Sequence, residues 1–198
     1  MVDPLAPQTS LGCVLTNTLV RITNGNRYCT GTLITPNTVL TCAHFFREEP
    51  HNTYVWVAGR RLVYKDIQFF AGTDVALLTL PTSISLDDDA YPELGSAPSP
   101  GAPTATVGLG GTHRRDGSYR IRAGRYLFPV PFSTSRDRKT KVRRGGMIFN
   151  INSAVKGDSG GPVFVNGKIV GVQSMITDPF NLNLHLATIA LVGHLNLR

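Results

Sequence analysis

An all-β fold in two lobes is the class this chain predicts, on three observations. Short apolar runs recur along it, punctuated by turn signals drawn from 20 glycines and 13 prolines. No stretch sustains the periodicity of a long helix. Between residues 81 and 104 the pattern stops, giving way to Asp87-Asp88-Asp89 and then Pro92, Pro98, Pro100 and Pro103. That shift marks a linker, placed at 91–104, between a first lobe over 1–90 and a second over 105–198. A chain of 198 residues suits one large all-β domain or two small lobes. Many short strands in succession point to two β-barrels.

Taken in order, residues 1–12 read as irregular and 13–22 alternate loosely, predicting a first strand. Asn24-Gly25-Asn26 turns the chain into a second strand over 27–34. Pro36-Asn37 leads to a third over 37–41. Residues 55–58 and 62–70 follow, joined at Gly59-Arg60. Residues 75–80 are continuously apolar, as in a buried strand. In the second lobe, 104–109 restart the pattern and 119–130 predict two strands broken at Gly124. A solvated basic loop then precedes a strand over 147–151. Residues 163–172 form a hairpin with Asn166-Gly167 at its tip. Residues 184–189 are a late strand, and 190–197 predict a short C-terminal helix.

The chemistry concentrates in Gly157-Asp158-Ser159-Gly160-Gly161-Pro162. Glycines around a serine imply a sharp backbone turn that a substrate can approach closely. Such a turn can aim the N–H groups of Gly157 and Ser159 at one point, where an oxyanion would be stabilised. A serine hydroxyl needs a base to become a nucleophile, and the base is usually a histidine oriented by a carboxylate. His44 ends the apolar run Thr38-Val39-Leu40-Thr41-Cys42-Ala43, and Asp74 begins the run Val75-Ala76-Leu77-Leu78.

These segments resemble, in the same order, the signature blocks of the trypsin/chymotrypsin family of serine proteases. The stretch from Gly31-Thr32-Leu33-Ile34 to Ala43-His44 is similar to the histidine block, Asp74-Val75-Ala76-Leu77-Leu78 to the aspartate block, and residues 157–162 match the serine block letter for letter. The resemblance implies two antiparallel six-stranded barrels with a site in the cleft between them. It implies a catalytic His44, Asp74 and Ser159, and an oxyanion hole from Gly157 and Ser159. It places Ser153 at the base of the substrate pocket beside Ala154, with walls from Ser174, Met175 and Ile176 and from Leu184 to Leu186. A serine at the base supplies no counter-charge for Lys or Arg. Bulky Ile176 and Leu184 favour small or medium apolar side chains, while His185 keeps Glu or Gln open. The chain lacks the family's Ile-Val-Gly-Gly-like start, so Asp158 needs another partner, such as Arg122 or Arg144.

Three cysteines leave at least one thiol unpaired. Cys29 and Cys42 fall near the usual bridge of the family, but Cys42 precedes His44 by two residues where the family's cysteine follows the histidine. A reduced, buried pair is expected, with Cys13 a small buried residue. The opening residues lack the basic region and apolar core of a signal peptide. The expectation is an intracellular enzyme or one released from a polyprotein.

The net charge is +7, and residues 113–144 hold eleven of the twenty Lys and Arg. Segment 136–144 is the densest part, leaving contact with nucleic acid open. No apolar run reaches membrane-spanning length, no metal constellation or phosphate cradle is seen, and no cofactor is expected. The substrate expected is a protein or peptide. The competing function is a non-catalytic binding module on the same fold.

Overall fold

The computed structural model describes residues 17–47, 52–87, 90–111, 118–177 and 184–197, and among these thirteen strands form two sheets. The first sheet contains β1 (Leu19–Asn24), β2 (Arg27–Thr35), β3 (Thr38–Cys42), β4 (Thr53–Val57), β5 (Arg60–Leu62), β6 (Asp66–Phe69) and β7 (Val75–Thr79), in the order β5-β4-β1-β2-β3-β7-β6. The second contains β8 (Pro103–Gly108), β9 (Arg120–Thr134), β10 (Lys141–Asn150), β11 (Pro162–Val165), β12 (Lys168–Thr177) and β13 (Leu186–Leu191). It closes as a barrel in the order β10-β13-β12-β11-β8-β9.

Burial follows the sequence pattern. β4 alternates buried and half-buried residues, as a strand with one face on the core must. β7 buries both faces: Leu78 packs in the core of the first sheet with Val20, Ile22 and Val55, while Val75 and Leu77 face the other way. There they join Leu40 of β3 against Val107, Phe164 and Val172 of the barrel. The apolar run 75–80 is thus the seam between the two sheets. The barrel has its own core of Tyr126, Ile148, Val163, Val170 and Ile189.

Five expectations change. The two-barrel plan holds, but where a closed six-stranded barrel was expected the first half is, among the described residues, a seven-stranded half-barrel sheet. The strand expected over 62–70 breaks at residues 63–65, and its two parts lie at opposite edges, β5 on β4 and β6 on β7. β9 does not break at Gly124, because that residue stays in the ladder, paired with Thr104 of β8 and Asn150 of β10. The basic segment is half strand: Lys141, Val142 and Arg143 pair with Thr134, Ser133 and Phe132, and Val142 is buried. Only its tip is a loop, closed by Ser135 N–H on the Thr140 carbonyl at 2.9 Å. The helix expected over 190–197 is absent. β13 runs to Leu191, Val192 N–H still bonds the Val170 carbonyl, and Val192 and Leu197 sink into the seam core. A helix that short has too few hydrogen bonds to offset its nucleation.

Candidate active site

Strand register brings His44 and Asp74 together. Cys42, the last residue of β3, pairs with Val75, the first of β7, so the residues just beyond each strand end are neighbours. His44 opens a 3-10 turn, His44–Phe46, whose Phe45 and Phe46 are buried. Its backbone N–H donates to Asp74 Oδ1 at 2.8 Å and its Nδ1 to Oδ2 at 2.7 Å. The carboxylate is fully buried and also accepts the Ser174 hydroxyl. Arg47 Nη2 lies 3.8 Å from Oδ1. With Nδ1 donating, Nε2 carries the lone pair a general base needs.

Burial disfavours the charged imidazole of His44, but the Cys42 sulfur and the bonded Asp74 carboxylate outweigh it, and its pKa stands well above the usual 6.5. Burial also pushes the Cys42 thiol up. That thiol is neutral at ordinary pH, so the Asp74 carboxylate is the partner that holds the imidazolium.

The Ser159 turn is clamped from both sheets. Asp158, fully buried, accepts Gly110 N–H at 2.9 Å, Val155 N–H at 2.8 Å and Arg122 Nε at 2.8 Å. Arg122 is therefore the partner, and Arg144 is an exposed residue of β10. On the other side, Thr30 of β2 donates its hydroxyl to the Gly157 carbonyl at 2.7 Å and its N–H to the Ser159 carbonyl at 2.8 Å. Gly160 N–H bonds the Gln173 carbonyl of β12 at 2.7 Å. Gly160 is pressed so closely on the first sheet that a Cβ there would sit 2.2 Å from the Thr30 carbonyl and 2.8 Å from Cys42 N.

Ser159 thus lies at the seam beside the strand end that carries His44. Among the described residues its hydroxyl makes no hydrogen bond, and the contact of His44 Nε2 is Cys42 Sγ at 3.9 Å. Gly157 has φ +100, and neither its N–H nor that of Ser159 donates to an acceptor among the described residues.

The expected pocket residues lie on three separate segments. Ser153 is half-buried and Ala154 buried on the segment leading into it, and Ser174 and Ile176 lie on β12. Leu184 precedes β13 and is 45% exposed. Ser174 directs its hydroxyl to Asp74, a role the sequence did not disclose. His185, at φ +61, stacks on Phe149 and places Nδ1 3.1 and 3.0 Å from the carbonyl oxygens of Asn150 and Ile151. Cys29 and Cys42 are free and buried, while Cys13 lies outside the described residues. Thr30 and Arg47 went unnoticed in the sequence. Thr30 looks like any strand threonine, whereas Arg47, one 3-10 turn beyond His44, carried a positional signal.

The Trypsin family model matches residues 15–186. The chain belongs to the trypsin family. Among its relatives, an uncharacterized peptidase of Corynebacterium glutamicum is 30% identical over 175 residues, covering 83% of this chain and 59% of that protein. The chain thus spans about three-fifths of that relative's length. Human chymotrypsin-like elastase family member 1 is 31% identical over 191 residues, covering 77% of this chain and 72% of the elastase. In fold, the active form of the Rv3671c protease from Mycobacterium tuberculosis superposes with a TM-score of 0.75 at 19% identity, covering 96% of this chain and 83% of that one. The closed barrel and its seven-stranded partner are the two halves of the trypsin-family fold.

Proposed function

We propose that this trypsin-family chain is a serine endopeptidase acting through a Ser159–His44–Asp74 triad. The observation that carries the reading is the buried Asp74 carboxylate bonded to both the backbone and the ring of His44, beside a Ser159 turn fixed from both sheets. On this mechanism Ser159 Oγ attacks the scissile carbonyl as His44 Nε2 takes its proton. The tetrahedral oxyanion is received by the N–H groups of Gly157 and Ser159. His44 then protonates the leaving amine, and water releases the acyl group from Ser159 by the same steps in reverse.

A neutral Ser153 at the expected pocket base supports cleavage after apolar rather than basic side chains. Use on a polyprotein stays part of the proposal: sharp selectivity in a randomised peptide library would support it, and indiscriminate cleavage would remove it. A fluorophosphonate probe tests the triad itself. Labelling at Ser159 is expected, with label and peptide hydrolysis both lost in Ser159→Ala. A wild-type chain that neither labels nor cleaves returns the protein to the reading as a binding module.

A further inference from the structure

We infer that the cleft flanking His44 and Asp74 is a binding site for an acidic segment of the polypeptide being cut, an inference that rests on the endopeptidase reading. The cleft, about 590 Å³, is built from both sheets. Ala43 and Thr73, the residues immediately before His44 and Asp74, are among its lining. Arg47, Arg138, Lys139 and Lys141 line it together with Phe69 and Phe70, and among the described residues no carboxylate does. Its size is that of a site for a short segment rather than a flat contact.

The basic wall is anchored. Arg47 donates through Nη1 to the Lys139 carbonyl, which ties the β9–β10 tip to the turn that carries His44. Arg143 N–H bonds the Gly72 carbonyl at 2.8 Å, which ties β10 to the loop before Asp74. The nearest acidic side chain of the tip, Asp137, is occupied by the Ser135 hydroxyl and by Lys139 N–H. Arg138 and Lys141 make no ion pair with any described residue.

Arg138 and Lys141, lining the cleft without an ion pair among the described residues, raise the local concentration of negative charge. The exposed Phe69 adds an apolar surface for the stem of a Glu side chain or a neighbouring residue. A nucleic acid is the less suitable occupant, because the cleft opens beside the catalytic pair, where a polypeptide substrate must pass.

The test starts from a neutral peptide that the wild-type chain cuts, with Asp and Glu then scanned through positions on both sides of the scissile bond. On one flank each well-placed carboxylate should raise kcat/KM roughly two- to fivefold, chiefly through KM. The gain should shrink as salt is raised. In R138E/K141E the preference should turn to Lys at the same positions. Equal cleavage of acidic and neutral peptides by the wild-type chain, at low salt, overturns the inference. A second arm does not depend on cleavage: a fluorescent acidic peptide should bind Ser159→Ala more tightly than its Asn/Gln analogue. Equal binding there overturns the inference even if the triad proposal has failed. Salt-sensitive retention of a single-stranded oligonucleotide, lost in R138E/K141E and without any peptide preference, also overturns it in favour of nucleic acid.

Discussion

Arg122 Nε stands 2.8 Å from Asp158 Oδ2, with both side chains almost wholly shielded from water. Asp158 is the residue before Ser159, and its other oxygen bonds Gly110 N–H. One arginine of β9 therefore balances the charge on which the whole serine turn is wound.

Replacing Arg122 by Met should be among the most damaging single changes. Removing one partner of a buried pair leaves an uncompensated charge and typically costs about 3–5 kcal/mol. We expect urea unfolding to show a loss of that order, together with loss of fluorophosphonate labelling at Ser159. Stability within about 1 kcal/mol of the parent, with normal labelling, would mean that Asp158 is supported by its backbone donors alone.

The acid limb of the pH profile should report on His44. Only the neutral imidazole can take the Ser159 proton, so activity is present above its pKa and lost as pH falls through it. That pKa is raised, so the limb of kcat/KM should lie above pH 6.5. The stabilising charge of His44 has the opposite sense, fully present below the unfolded value and lost as pH rises through the folded one. Asp74→Asn should move the limb downward and cut kcat by about 10⁴-fold. A limb unmoved in that variant would assign the titration to another group.

The sequence disclosed the family and the fold class better than the strand layout. The blocks around Ser159, His44 and Asp74, the proposed triad, are short stretches whose letters are constrained by a turn, a strand end and a buried carboxylate, so the resemblance was legible without neighbours. The need of Asp158 for an arginine was also legible, but choosing Arg122 over Arg144 needed the strand register. Arg122 is a buried residue of β9 and Arg144 an exposed one of β10, and single-chain alternation does not say which face meets the core. The basic segment misled for a similar reason. Its charges read as solvent-facing loop, yet Val142 turns inward and β9 supplies the hydrogen bonds that make it a strand. Thr30 and Ser174 act across 127 and 100 residues of chain, distances over which local patterns carry no information.

Gly160 offers a test of how tightly the turn is held. It has φ +78, and a Cβ would strike the Thr30 carbonyl and the Thr41 hydroxyl. Gly167, at the β11–β12 hairpin tip, has nearly the same φ of +77 but open space around it. Gly167→Ala should therefore cost only the left-handed penalty of about 1–2 kcal/mol and leave labelling intact. Gly160→Ala adds overpacking of typically 1–3 kcal/mol and should displace Ser159, abolishing labelling. Equal thermal shifts in the two variants would show that the turn can back away from the first sheet.

Ser174→Ala isolates the hydroxyl that reaches Asp74 from the barrel. The carboxylate keeps its bonds to His44 N–H and Nδ1, so the pair survives but loses a donor from the opposite sheet. A hydrogen bond to a buried charged group is worth about 1.5–3 kcal/mol. Part of that should appear as a roughly 10-fold or greater fall in kcat, because the lost donor lets the carboxylate and ring shift. The pH profile separates this from a merely structural loss. With one fewer donor the Asp74 carboxylate is a stronger acceptor for the imidazolium, so the His44 limb should move to higher pH while KM changes little. A fall in activity with the limb unmoved would mean that Ser174 packs the cleft without steering the charge behind His44.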